Sequence, residues 1–195
     1  MVEESLPATR RWLMTRTLAG ALALVALLLS GTAVQAAEVV IPFHTTLTLV
    51  EDCESSPSPS DQCLGFSDWL ASCQAQGYDW GFQDVRKGEA THMGPVTSFE
   101  QGCLDFHTGP GGLARSYVQL TVTARHGDTL TMYVAGLFDF AQASAPGAGS
   151  FSITGGTGRF DGARGTGTTG NVTVGGNPGA IVYQDGWLRL ARGHR

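Results

Sequence analysis

Apolar and polar residues alternate along much of the second half of the chain. In Tyr117-Val118-Gln119-Leu120-Thr121-Val122-Thr123-Ala124, one face carries Val118, Leu120, Val122 and Ala124, and Thr129-Leu130-Thr131-Met132-Tyr133-Val134 repeats the pattern. A period of two is that of a half-buried strand. His126-Gly127-Asp128 supplies a turn between the two runs, so they read as a hairpin with one buried and one polar face. Residues 39–50 are also strand-like, with Leu47 and Leu49 alternating against Thr46 and Thr48. Residues 150–154, 170–174 and 180–183 add further short strands. Short strands between glycine-rich turns imply an antiparallel sandwich or barrel. Closure would remove the unpaired edges of an open sheet.

One segment breaks the pattern. Cys53-Glu54-Ser55-Ser56-Pro57-Ser58-Pro59-Ser60 cannot continue a strand, because proline lacks a ladder donor and serine favours turns. Phe66, Trp69, Leu70 and Cys73 then recur at helical spacing, with Ser67 placed to cap the start and Gly77 the end. Residues 52–80 therefore read as an excursion between strands. At the N-terminus, Arg10, Arg11 and Arg16 precede an apolar run from Leu18 to Leu29, and Val34-Gln35-Ala36 offers small residues for cleavage. This is the pattern of a secretory signal peptide over residues 1–36, too short for a stable membrane span. The expected organisation is a signal peptide followed by one domain, residues 37–195, with an insertion at 52–80. The mature protein is expected to be secreted, extracellular or periplasmic.

Export changes the reading of the cysteines. Cys53, Cys63, Cys73 and Cys103 are an even set in an exported chain and read as two disulfides, with three connectivities open. Zinc sites pair cysteines roughly two to four residues apart, far closer than these. If all four are paired, at least one bridge ties the excursion to Cys103. The 195 residues carry 17 acidic and 12 basic side chains, a net charge of −5 with only 15% charged residues. That balance argues against nucleic acid as a partner.

The most distinctive stretch is Phe151-Ser152-Ile153-Thr154-Gly155-Gly156-Thr157-Gly158-Arg159-Phe160-Asp161-Gly162-Ala163-Arg164-Gly165. It resembles the strand–turn–strand signature of dirigent proteins, allene oxide cyclases and related bacterial secreted barrels. Gly88-Glu89-Ala90-Thr91-His92-Met93-Gly94 is similar to the family's second-strand pattern, and Gly127-Asp128-Thr129-Leu130 to the hairpin before the signature. The resemblance covers residues 82–190 and the strand at 39–50. It implies an all-β, antiparallel eight-stranded barrel of calycin-like or allene-oxide-cyclase-like form, with a short helical, disulfide-pinned insertion. It further implies a homotrimer and an apolar cavity for hydrophobic or phenolic small molecules. Independently, the signature glycines permit a sharp reversal, after which Phe160 can fold back as a plug at one barrel end.

Val118, Leu120, Val122, Leu130, Met132 and Val134 form the apolar face, lining either a packed interior or a ligand cavity. His92 either faces that cavity or lies on the surface. The opposite face, with Tyr117, Gln119, Thr121, Thr129, Thr131 and Tyr133, is either solvent-facing or a trimer contact. Glu51 and Asp52 occupy the position of the family's first-strand acid. Adjacent on a strand, they face opposite sides and cannot work as a pair. One of them at the barrel mouth could serve as a general acid or base; the plainer reading is a charged strand end. Gly165-Thr166-Gly167-Thr168-Thr169-Gly170 matches a dinucleotide fingerprint in letters alone, because no helix follows it. His44, His92, His107, His126 and His194 form no metal-ligand spacing, so neither cofactor nor metal is expected. Asn171-Val172-Thr173 is a glycosylation sequon.

Three functions are compatible with these features. The first is a secreted barrel that binds a small apolar ligand or serves as a non-catalytic extracellular module. The second is an isomerase-, cyclase- or dirigent-like enzyme acting on a hydrophobic molecule in the cavity. The third is an interaction protein that uses the excursion as its contact loop.

Overall fold

A computed structural model describes residues 38–107, 113–138, 148–174 and 177–191. The expected signal peptide lies outside the described residues. Eight strands follow in chain order: β1 (Glu38–Asp52), β2 (Trp80–Ala90), β3 (Gly94–Asp105), β4 (Ala114–Ala124), β5 (Thr129–Phe138), β6 (Ala148–Gly156), β7 (Arg164–Val174) and β8 (Asn177–Ala191). Each pairs antiparallel with the next, and β8 pairs with β1, giving a closed up-and-down barrel. This is the fold class expected from the sequence. The GTGTTG run lies within β7, and no helix follows it.

Alternation sorts the side chains. Inward positions at one end hold Phe43, Leu47, Ala90, Val96, Leu120, Val122, Leu130, Met132, Phe151, Ile153 and Leu188 in one contiguous core. Phe160, on a single 3-10 turn between β6 and β7, is 2% exposed and joins that core with Ala163, as a plug should. The plug is held from outside. Arg159 Nε donates to Asp128 Oδ2 at 2.7 Å, joining the β6–β7 connection to the β4–β5 turn.

Phe151 finds room because the facing strands carry glycine. Its ring meets Phe43 edge-on, with centroids 5.9 Å apart. A Cβ at Gly167 would collide with the Asp185 carbonyl oxygen and lie 2.6 Å from the Phe151 ring; one at Gly186 would lie 2.9 Å from it. β7 and β8 thus form a glycine floor on which the Phe151 ring rests.

The excursion packs on the outside of the barrel. One 3-10 turn (Asp61–Cys63) precedes α1 (Phe66–Ala75), and disulfides join Cys53 to Cys63 and Cys73 to Cys103. The second bridge ties the excursion to β3, as the cysteine count required. Cys53, Cys63 and Val85 form a small outer core with Phe66 and Phe99 packed against it. Gly81 leaves space for the other bridge, since a Cβ there would stand 3.0 Å from Cys73 Sγ. The start of α1 differs from expectation: Gly65, left-handed at φ 100°, takes the N-cap position, and no side chain caps the helix. Gly77, at φ 89°, ends it as expected. Asn171 is buried and faces inward, so the sequon offers no accessible acceptor in the folded barrel.

Truncating Phe151 to alanine should cost about 3–5 kcal/mol, because the glycine floor has no side chains to fill the void. Gly167→Ala should also destabilise, by about 1–3 kcal/mol, through overpacking. Urea denaturation of the purified chain measures both. A Gly167→Ala protein as stable as its parent would overturn the glycine-floor account.

Candidate functional site

Towards the barrel end opposite Phe160, the interior changes character. The β2–β3 register pairs Asp84 with Glu100 and Arg86 with Ser98. All four share the inward parity of Ala90 and Val96, which belong to the core. Arg86 Nη2 lies 2.8 Å from Asp84 Oδ2, and its Nε lies 2.9 Å from Glu100 Oε2. The arginine and Glu100 are each 5% exposed. A guanidinium between two carboxylates is the arrangement that buried charges need, because an unpaired charge in this position would be prohibitively costly.

Asp84 is held largely out of water. Burial pushes its pKa up to about 6; Arg86 pulls it down, while Glu100 and Asp52 add to the rise. Asp52 contributes because it is the cross-strand partner of Asp84 at the end of β1. For Arg86, burial opposes the charged form, but Glu100 and Asp84 outweigh it and raise the pKa above the ordinary arginine value.

Other inward polar groups lie within the apolar core, where Thr45 is opposite Ala90 and between Phe43 and Leu47 on β1. Thr45 Oγ1 donates to Gln184 Oε1 at 2.9 Å between β1 and β8. Ser98 Oγ, Glu100 Oε1 and Gln184 Nε2 are buried with no hydrogen-bond partner among the described residues. Each such orphan costs about 1–3 kcal/mol. Ser98 and Glu100, on β3, carry theirs beside Arg86, and Gln184, on β8, carries its own beside Thr45.

The residues singled out from the sequence distribute differently. Leu120, Val122, Leu130 and Met132 are fully buried in the core, with Leu120 directly opposite Glu100 and Val122 opposite Ser98. Val118 is buried and Val134, half-buried, packs against that core; the two pair with each other. His92 is exposed in the β2–β3 turn at φ 65°, with Nε2 3.2 Å from the Pro42 carbonyl oxygen. Left-handed backbone is tolerated by histidine better than by bulkier residues. Glu51 accepts from the Ser60 N–H at 2.8 Å, which holds its carboxyl below the usual range. Asp52 accepts from the Glu54 N–H at 3.0 Å and the Ser55 hydroxyl at 2.9 Å. Both carboxylates thus anchor the start of the excursion, and Asp52 also adds charge beside Asp84. Cys53, Cys63, Cys73 and Cys103 are all disulfide-bonded.

Asp84, Arg86, Ser98, Glu100 and Gln184 are the residues that sequence reasoning missed. A signal was present: Asp84-x-Arg86 places opposite charges on one face of a strand. The Thr91-His92-Met93 turn then fixes a register that brings Glu100 opposite Asp84.

The raised pKa of Asp84 has a defined effect on stability. Between about pH 4 and 6 the folded chain holds a proton that the unfolded chain has lost, so this group makes stability fall as pH rises through that window. The total is about 3 kcal/mol, from a shift of roughly two units. Glu51 acts in the opposite sense: its contribution is present above its unfolded pKa and is lost as pH falls through the lowered folded value. Urea titrations from pH 4 to 7 should show Asp84→Asn removing the decline. An unchanged slope would mean that Asp84 ionises freely.

No family model matches the chain, and no curated protein does. Among solved structures it is similar to the pterocarpan synthase dirigent protein GePTS1, at 17% sequence identity and a TM-score of 0.46, over 81% of this chain and 88% of that one.

Proposed function

We propose that the protein is a secreted barrel that binds one small molecule in its interior, against the Asp84–Arg86–Glu100 cluster. The single observation carrying this reading is the pair of buried orphans beside Arg86, Ser98 Oγ and Glu100 Oε1. A hydroxyl-bearing ligand would donate to Glu100 and accept from the Ser98 hydroxyl, both beside Arg86. Val118 and Val134 offer its apolar body a wall. Specificity would follow from the orphans, since a ligand lacking the polar group leaves them unpaired. Two disulfides suit an exported protein.

A second reading is supported by Asp84 itself. A carboxyl with a pKa of about 6 beside a fixed arginine is matched to proton transfer near neutrality. In an isomerase- or cyclase-like reaction, Asp84 would move the proton and Arg86 would steady the developing negative charge.

Native mass spectrometry of the chain purified from its own host medium tests the binding reading. The expected result is a co-purifying small molecule that the Glu100→Gln variant retains at least tenfold more weakly. A ligand-free spectrum that stays ligand-free after incubation with host extract would overturn it. With the ligand in hand, Asp84→Asn separates the two readings: turnover lost with binding kept indicates the enzyme, and no turnover by the parent indicates the carrier.

A further inference from the structure

On the outer face of the barrel, Arg164 of β7 stands directly opposite Arg189 of β8. Like charges in that relation repel, and the arrangement is destabilising unless something negative lies between them. Among the described residues, little is supplied. Glu38 Oε2 lies 3.9 Å from Arg189 Nη1, with both side chains largely exposed, a geometry worth almost nothing in water. Arg164 uses Nη1 on neutral partners, the carbonyl oxygens of Ala163, at 2.8 Å, and Thr154. Those bonds hold its guanidinium in place without balancing its charge.

Beside the pair is an indole. Trp187, opposite Thr166 on β7 and Pro42 on β1, is 57% exposed although it is the largest side chain on this face. Val40, Arg164, Gly165, Thr166, Trp187 and Arg189 together line an open groove of about 550 Å³. It therefore combines a flat apolar platform, a hydroxyl and two forked cations.

We propose that this groove binds an acidic oligosaccharide through a uronate residue. The sugar carboxylate would lie between Arg164 and Arg189, whose planar forks fit a carboxylate in bidentate fashion. The C–H face of the pyranose would cover Trp187, and Thr166 would meet a ring hydroxyl. An acidic peptide supplies the charge but asks for pockets for its side chains, whereas this face is a broad, shallow sheet surface. The site is independent of the barrel interior and stands or falls without it.

Titrating trigalacturonic acid into the full exported chain tests the proposal, read from the Trp187 indole signal in NMR and assigned with Trp187→Phe. A saturable shift is expected, weakened at least tenfold in Arg189→Gln and in Trp187→Ala, and weakened again by added salt. Arg189→Gln is the main variant because Arg164 also anchors backbone. Unchanged thermal unfolding shows that it is folded. The fully methyl-esterified trimer, which keeps the rings and loses the charge, should give no saturable shift. Equal binding of that ester, unchanged affinity in Arg189→Gln, no saturable response, or an equal response to a short polyglutamate peptide would each overturn the proposal.

Discussion

The fold depends on fitting large rings into a closed ring of only eight strands. A barrel of that size has room for its own side chains and little else. Here the space is divided unevenly around the wall. β1, β4, β5 and β6 contribute Phe43, Leu120, Met132 and Phe151, while β7 and β8 face them with Gly165, Gly167 and Gly186. Side chains on both walls would overlap, and glycine on both would leave a void. The pairing of bulky with absent side chains is what lets β8 close onto β1. The Phe160 plug then seals one end, held by the Arg159–Asp128 bond.

Once that end is filled, everything else is displaced either outward or to the other half. The excursion after β1 cannot enter the barrel, so it builds a second core against the outer face of β2 and β3. Two disulfides make that small core viable, since Cys53, Cys63, Val85, Phe66 and Phe99 alone bury too little to hold a loop of this length. Glu51 and Asp52, at the junction, satisfy backbone and hydroxyl donors of the excursion. Their sequence position suggested chemistry. Their geometry is that of anchors, with Asp52 adding its charge to the field around Asp84.

The exterior and the packed half were legible in the sequence, and the polar half was not. Alternation at Tyr117–Ala124 and Thr129–Val134 placed a hairpin and its inward face correctly, because each inward residue there is apolar. In β2 the same rule gives no contrast. Asp84 and Arg86 face inward while Val85 faces outward, beneath the excursion, so burial runs on both sides and the apolar pattern points the wrong way. Only the hairpin register, fixed by the turn at His92, brings Asp84, Arg86, Ser98 and Glu100 together. Gln184 was further out of reach, because its inward parity follows from closure between β8 and β1, a pairing of residues far apart in the chain.

The buried charges then require a reason other than stability. An ion pair taken out of water rarely repays its desolvation, and apolar residues of similar volume often serve as well or better. In this barrel the balance is worse than for a simple pair. Two inward carboxylates share one arginine, and burial, with smaller contributions from Glu100 and Asp52, raises the pKa of Asp84 to about 6. A core selected only to hold the barrel shut would extend the Leu, Met and Phe packing to the other end. Retaining acids, an arginine and two unsatisfied polar atoms there adds nothing to packing. That desolvation cost is intelligible if the unsatisfied atoms meet a partner from solution, as the proposed function requires.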